Sequence, residues 1–166
     1  MKKKKNIELP ENPYYMDILN IIYRQLICEL LKDKRIGDIV KPREFNIAEK
    51  RVAEIRKNWH EKNLFKEKLD RKGWHTFIIY GMGFVGNNLD YLLKECGIQT
   101  VKVDRLGSNS RCFQAITLEE CENFDVDMVI ITIDNQEVYE ILQKKAGKKA
   151  KIVRIDDFLK TMKEIE

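Results

Sequence analysis

Thr76-Phe77-Ile78-Ile79-Tyr80-Gly81-Met82-Gly83-Phe84-Val85-Gly86 runs a short apolar strand directly into a Gly-x-Gly-x-x-Gly turn, and Asp104 closes the next apolar strand 18 residues beyond Gly86. In such a turn Gly81 allows the tight reversal from strand to helix, Gly83 lets the backbone approach a pyrophosphate, and Gly86 lets the helix pack close to the strand. The helix that starts here aims its first N–H groups and its positive dipole end at anions. An acid about 20 residues further on reaches ribose hydroxyls. Strand, glycine triplet, helix and acid agree, and together they predict a dinucleotide-binding unit. The competing reading of the same residues is a glycine turn in an α/β core that binds nothing.

Downstream the pattern keeps alternating. A helix after Gly83 turns Val85, Leu89, Leu92, Leu93 and Cys96 inward and stops at Gly97. Gln99 to Asp104 is the second strand, and Gly107-Ser108-Asn109-Ser110 is a loop. A short strand near Phe113 to Ile116 precedes Thr117, which has capping-box spacing to Glu120. Asp127 to Ile133 is nearly unbroken in apolar residues, as suits a parallel strand covered on both faces. A helix over Gln136 to Lys145, a strand over Lys151 to Ile155 and a last helix from Asp156 complete five βα units. Right-handed crossovers then predict an α/β fold, a five-stranded parallel Rossmann-type sheet of order 3-2-1-4-5. The run Lys144-Lys145-Ala146-Gly147-Lys148-Lys149 reads as a helix end rather than a phosphate site, with lysines complementing the negative dipole end.

In a sheet of this kind ligands lie beyond the carboxyl ends of the strands, where the strand order reverses. That places Gly81, Met82, Gly83, Phe84, Val85 and Gly86 at the phosphates and Asp104 with Arg105 at the adenosine ribose. Thr132, with Asp134 and Asn135, falls near the far half of a dinucleotide. Asp104 accepts from the 2′- and 3′-hydroxyls and repels a 2′-phosphate, so the expected cofactor is NAD rather than NADP. Arg105 and Arg111 pull the other way, since either cation neutralises an added phosphate. No Gly-Lys-Ser/Thr follows the glycines, which excludes a P-loop, and Ile79 stands where methyltransferase-like loops carry an acid.

Catalytic groups do not emerge. Short-chain dehydrogenases space a tyrosine and a lysine by three residues, but Tyr91 is followed by Lys94 and Tyr139 by Gln143 at the required place. His60 and His75 each follow a tryptophan outside the expected crevice, where a structural role is the simpler reading. Cys28, Cys96, Cys112 and Cys121 form no Cys-x-x-Cys pair, so neither a metal site nor a disulfide framework is expected. The catalytic residues are therefore unknown, and whether the chain is an enzyme stays open.

Taken together, Ile78-Ile79-Tyr80-Gly81-Met82-Gly83-Phe84-Val85-Gly86, Val101-Lys102-Val103-Asp104-Arg105, Thr117-Leu118-Glu119-Glu120 and Asp125 to Thr132 resemble compact NAD(P)-binding Rossmann segments. Segments of this type accompany bacterial surface-polysaccharide and nucleotide-sugar enzymes, and the resemblance spans roughly residues 76 to 160. It implies nucleotide contacts by the Gly81–Gly86 loop and Asp104, and no catalytic residue. The loop is also similar to nucleotide-sensing domains of potassium-transport regulators, which have a longer stretch between the acid and the fourth strand.

Upstream the chemistry changes. Residues 1–75 carry a net charge of +7 and residues 76–166 a net charge of −3, within an overall +4. Residues 1–12 read as a basic flexible tail around Lys2 to Lys5. Residues 13–75 read as a helical segment for oligomerisation or docking, and 76–166 as the nucleotide-binding domain. Ile18, Leu19, Ile22, Leu26 and Leu30 make one apolar stripe between Tyr14 and Leu31, interrupted by Asp17, Asn20, Arg24 and Glu29 as in an amphipathic helix rather than a membrane span. A second helix is expected over Arg43 to Lys72, with Asn63 as a point of interruption, Ala48, Val52, Ile55 and Trp59 on one face and Leu64, Phe65 and Leu69 beyond. Its basic residues alternate with Glu54 and Glu67, paired with Lys57 and Arg71, which argues for a solvated face over a nucleic-acid site.

The lysines at the N-terminus lack the apolar stretch of a secretory leader, so the expected setting is cytoplasmic. The expected partners are a dinucleotide or nucleotide and a second copy in a homodimer, since two apolar helices exceed what the flank of a small sheet needs. The alternatives are an enzyme or subunit of nucleotide-sugar metabolism whose active site is completed at a subunit interface, and a nucleic-acid-associated protein using the basic helix.

Overall fold

The computed structural model describes residues 42–107, 114–122 and 124–165, together with Ile22 and Leu26. Contacts divide the chain into a unit of Met1–Phe45 and a unit of Asn46–Glu166. The basic tail, most of the amphipathic segment, Arg111 and Cys112 lie outside the described residues. Ile22 and Leu26, one turn apart, are helical and more than half exposed.

From Pro42 the order of elements is helix α1 (Pro42–His60), helix α2 (Lys62–Lys72), strand β1 (Thr76–Tyr80), helix α3 (Phe84–Glu95), strand β2 (Gln99–Val103), strand β3 (Met128–Ile131), helix α4 (Gln136–Ala146), strand β4 (Lys151–Arg154) and helix α5 (Ile155–Glu164). The single helix expected over Arg43 to Lys72 is thus two, broken at Glu61 rather than Asn63. The sheet is parallel throughout, with order β2-β1-β3-β4. It has four strands among the described residues, which corrects the expected five and the order 3-2-1-4-5. Of the segment expected as a strand near Phe113 to Ile116, the described residues 114–116 contribute one parallel bridge, Val103 to Ile116. Ile116 N–H donates to the Lys102 carbonyl and Asp104 N–H to the Ile116 carbonyl, a single rung among the described residues, on the outer side of β2. The capping box is present, Thr117 N–H to Glu120 Oε2 at 2.7 Å and Glu120 N–H to Thr117 Oγ1 at 3.3 Å, but it opens a turn rather than a helix.

Strand alternation sorts the apolar residues to two faces. Phe77 and Ile79 of β1 and Met128 and Ile130 of β3 face a core completed by Leu89 and Leu92 of α3 and Phe158 and Met162 of α5. Val52 and Ile55 of α1 and Phe65 and Leu69 of α2 belong to that same core. Phe158 sits edge-on to both Phe65 and Phe77, with ring centroids 6.3 and 6.0 Å apart. Ile78, Tyr80, Val129 and Ile131 face the other way, against Leu142 and Ala146 of α4 and Cys121 and Phe124. Both central strands are covered on two sides, which is why they are apolar throughout.

Helices α1 (from Asn46) and α2 are therefore part of the unit that contains the sheet, and a boundary at residues 75 and 76 does not separate two packed bodies. Of the expected ion pairs on these helices, Glu67 does meet Arg71, at 2.6 Å, whereas Glu54 meets Lys163 of α5, at 3.1 Å.

At the amino ends of the strands, Asp127 accepts from His75 N–H at 2.7 Å and from the N–H and hydroxyl of Thr76 at 2.8 and 3.0 Å. Burial opposes ionisation there, but these donations outweigh it and hold the carboxyl below its ordinary value. Among the described residues no helix is long and apolar enough to cross a membrane.

Candidate functional site: the glycine turn and the carboxyl ends of the strands

The chain leaves β1 at Tyr80 and turns at once. Gly81 takes a φ of +95°, a conformation that side chains rarely adopt, and a Cβ there would stand 2.7 Å from Ile133 Cγ2 and 2.8 Å from Thr132 Oγ1. Its N–H donates to the Val103 carbonyl at 2.8 Å, tying the turn to the end of β2. Gly86, in the first turn of α3, has the Gly81 carbonyl oxygen 2.1 Å from where its Cβ would be. Only a residue without a side chain lets the helix approach the turn this closely. At Gly83 an added Cβ meets nothing within 4 Å. The three glycines thus divide as the motif requires, two for tight packing and one facing open space.

Helix α3 starts at Gly83 without a side-chain cap and without an acid in its first turn, whereas α4 is capped by Asn135, which accepts from Val138 N–H at 3.1 Å, and carries Glu137. Such an uncapped start leaves the positive dipole end available to an external anion. The flanks of the loop are held by Asn87, whose side-chain amide donates to the Met82 and Gly83 carbonyls at 2.7 and 3.0 Å. Met82 and Val85 bury their side chains in the core, and Phe84 packs partly against it. These three residues therefore offer only their backbone to a ligand at the turn.

Asp104 is half-buried at the end of β2 and turns toward the loop. Its Oδ2 accepts from Met82 N–H at 2.7 Å and its Oδ1 from Leu106 N–H at 3.1 Å. Each oxygen keeps further acceptor capacity. Arg105 is exposed in the turn beyond. The Tyr80 phenol titrates above its ordinary value, chiefly through burial and then through the charges of Asp104 and Glu119, with Arg105 opposing. Thr132 is buried, and its hydroxyl lies 2.5 Å from the Gly81 carbonyl oxygen and 3.1 Å from that of Tyr80. It locks the glycine turn to the end of β3. Gly81, Met82, Gly86, Asp104 and Thr132 are thus brought together by direct contacts, while Arg105 is near but outside that network.

Arg51 is the residue that sequence reasoning missed. It reaches from α1 to Asp134, beyond β3, at 2.8 and 3.1 Å, and its Nε to Asp156, at the start of α5, at 2.8 Å. The residue is 8 % exposed. Asp156 first, and Asp134 with it, outweigh the cost of burial and raise the arginine above its ordinary value, and Arg51 in turn holds Asp134 below the ordinary carboxylate range. The signal was position: residue 51 lies three after Ala48 and four before Ile55, within the apolar stripe rather than on the solvated face.

Other candidates sit elsewhere. His75 precedes β1 at the opposite end of the strands, 3.6 Å from Asp70, and His60 lies tilted by 56° against Trp59, ring centroids 5.2 Å apart. Burial pushes the Cys96 thiol up to about 11 and also raises Cys121, which makes both poor nucleophiles. The Gly147 N–H donates to the Gln143 carbonyl at 3.1 Å, ending α4 within the lysine-rich run. Comparison with protein-family models, with curated proteins and with solved structures finds no significant match.

Proposed function

We propose that this chain is a cytoplasmic dinucleotide-binding module whose ligand is NAD(H). The observation that carries the reading is the division of labour among the glycines: Gly81 and Gly86 have no room for a side chain, and Gly83 opens on free space in front of an uncapped helix. In this reading the Gly81–Gly86 loop and the start of α3 hold the pyrophosphate, and Asp104 takes the adenosine ribose hydroxyls with its remaining acceptor capacity. Bound NAD supplies a nicotinamide that accepts or donates a hydride. Both histidines lie apart from the glycine turn and both described thiols are kept protonated, which favours a binding module over a self-contained dehydrogenase. Ile22 and Leu26, apolar and exposed on one helical face, support self-association as a homodimer.

Calorimetric titration with NAD and NADP tests the reading. NAD binds more tightly than NADP to the wild type. Asp104→Asn removes the charge that repels a 2′-phosphate while retaining one acceptor, so the preference narrows by about tenfold, as for a lost charge-assisted hydrogen bond. A wild type that binds neither dinucleotide overturns the reading, and a preference unchanged in the variant overturns the role of Asp104.

A further inference from the structure

The turn after β3 lies beside the glycine loop, and its four residues are held by contacts to Gly81, Val138 and Arg51. Thr132 donates to the Gly81 carbonyl at 2.5 Å. Ile133 packs so closely on Gly81 that a Cβ there would stand 2.7 Å from its Cγ2. Asn135 caps α4 through Val138 N–H at 3.1 Å. Asp134 is held from outside the sheet, by Arg51 of α1, with one N–H on each carboxylate oxygen at 2.8 and 3.1 Å. The arginine has little freedom of its own, because its Nε is committed to Asp156 and it is buried. A planar guanidinium fork bonded in this way sets position and orientation as well as charge.

We infer that Arg51 is a positioning residue of the nucleotide site: by gripping Asp134 it fixes the Thr132–Asn135 turn against the glycine loop and makes helix α1 a working part of the crevice. The inference rests on the reading of that crevice as a dinucleotide site. Arg51 acts through Asp134, which stands two residues from the hydroxyl that holds Gly81 in place. Small displacements of positioning groups are costly where a ligand is held by aligned backbone donors. The sequence motif for the site therefore ends at residue 76 only on paper.

The test is calorimetric titration with NAD of the wild type, Arg51→Met, Arg51→Lys and Ile55→Val, each at a temperature where circular dichroism shows it folded. Arg51→Met weakens NAD binding about tenfold or more, in line with the cost of a misplaced positioning group. Arg51→Lys recovers part of the loss, since it keeps the charge but not the fork. Ile55→Val lowers the melting temperature by removing a buried methyl one turn along the same helix, and leaves the Kd unchanged. Wild-type affinity in Arg51→Met overturns the inference and leaves the nucleotide reading standing. Equal weakening by Ile55→Val also overturns it, because Arg51 is then a general stabiliser. Absence of NAD binding by the wild type removes both. Should Arg51→Met not fold, Arg51→Lys decides: a Kd equal to that of the wild type overturns the argument from the fork.

Discussion

Gly86 has no room to become anything else. With the Gly81 carbonyl oxygen 2.1 Å from its would-be Cβ, Gly86→Ala forces the helix away from the turn or the turn away from the sheet. Urea denaturation is expected to record a loss of about 2–3 kcal/mol, the usual scale of overpacking in a tight site. Gly83 gives the opposite result. Its φ of −79° suits any residue and a methyl group meets nothing within 4 Å, so Gly83→Ala retains wild-type stability. In the proposed site the same methyl would stand where the phosphate binds, and calorimetry is expected to show weakened NAD binding. A destabilised Gly83→Ala with unchanged affinity would contradict this assignment. Asp104, too, does more than its proposed place at the ribose requires: it holds the Met82 and Leu106 N–H groups and so shapes the loop.

Among elements, the two central strands are tied at their starts by one carboxylate. Asp127, just before β3, takes three donations from His75 and Thr76 at the head of β1. Its depressed pKa means that the contribution is complete above the ordinary value of 3.8 and is lost as the pH falls from there through the lower value of the folded state. Stability of the wild type is therefore expected to fall on acidification below about pH 4, and Asp127→Asn to lower stability near neutral pH and flatten that fall. The variant retains some acid sensitivity, because Asp134 is depressed as well. Parallel acid profiles for the two proteins would contradict the role of Asp127. Strand β1, bounded by Thr76 and Tyr80, was legible from its apolar run and the glycine that ends it, and α3 from the periodicity of Val85, Leu89, Leu92 and Cys96. The strand near Phe113 to Ile116 was not, since a few apolar residues look alike whether they form a full rung of pairing or the single bridge at Ile116. The break in the helical segment was legible only to within two residues, at Asn63 instead of Glu61, in a stretch without proline or glycine to mark it.

For the molecule as a whole, the N-terminal helices change meaning most. Read along the chain they look like an appendage, because their charge differs from that of the rest and no periodicity announces what an apolar face packs on. In the fold, Val52, Ile55, Phe65 and Leu69 help to close one face of the sheet, and Arg51 holds two carboxylates beyond its strand ends. Partners so distant in sequence leave no local signature, whereas the glycine turn and its acid do. The candidate site was thus readable where it is local, at Gly81, Gly83, Gly86 and Asp104, whereas Arg51 showed in the sequence only as a charge within an apolar stripe, its two carboxylate partners lying far along the chain. The most direct measurement is an amide NMR titration of the intact chain with NAD. Saturable shifts concentrated at Met82 to Gly86 and at Asp104 to Leu106 are expected, with His75 and Asp127 at the amino ends of the strands unmoved. Absence of shifts at saturating NAD, or shifts confined to residues away from the glycine turn, would contradict the dinucleotide site.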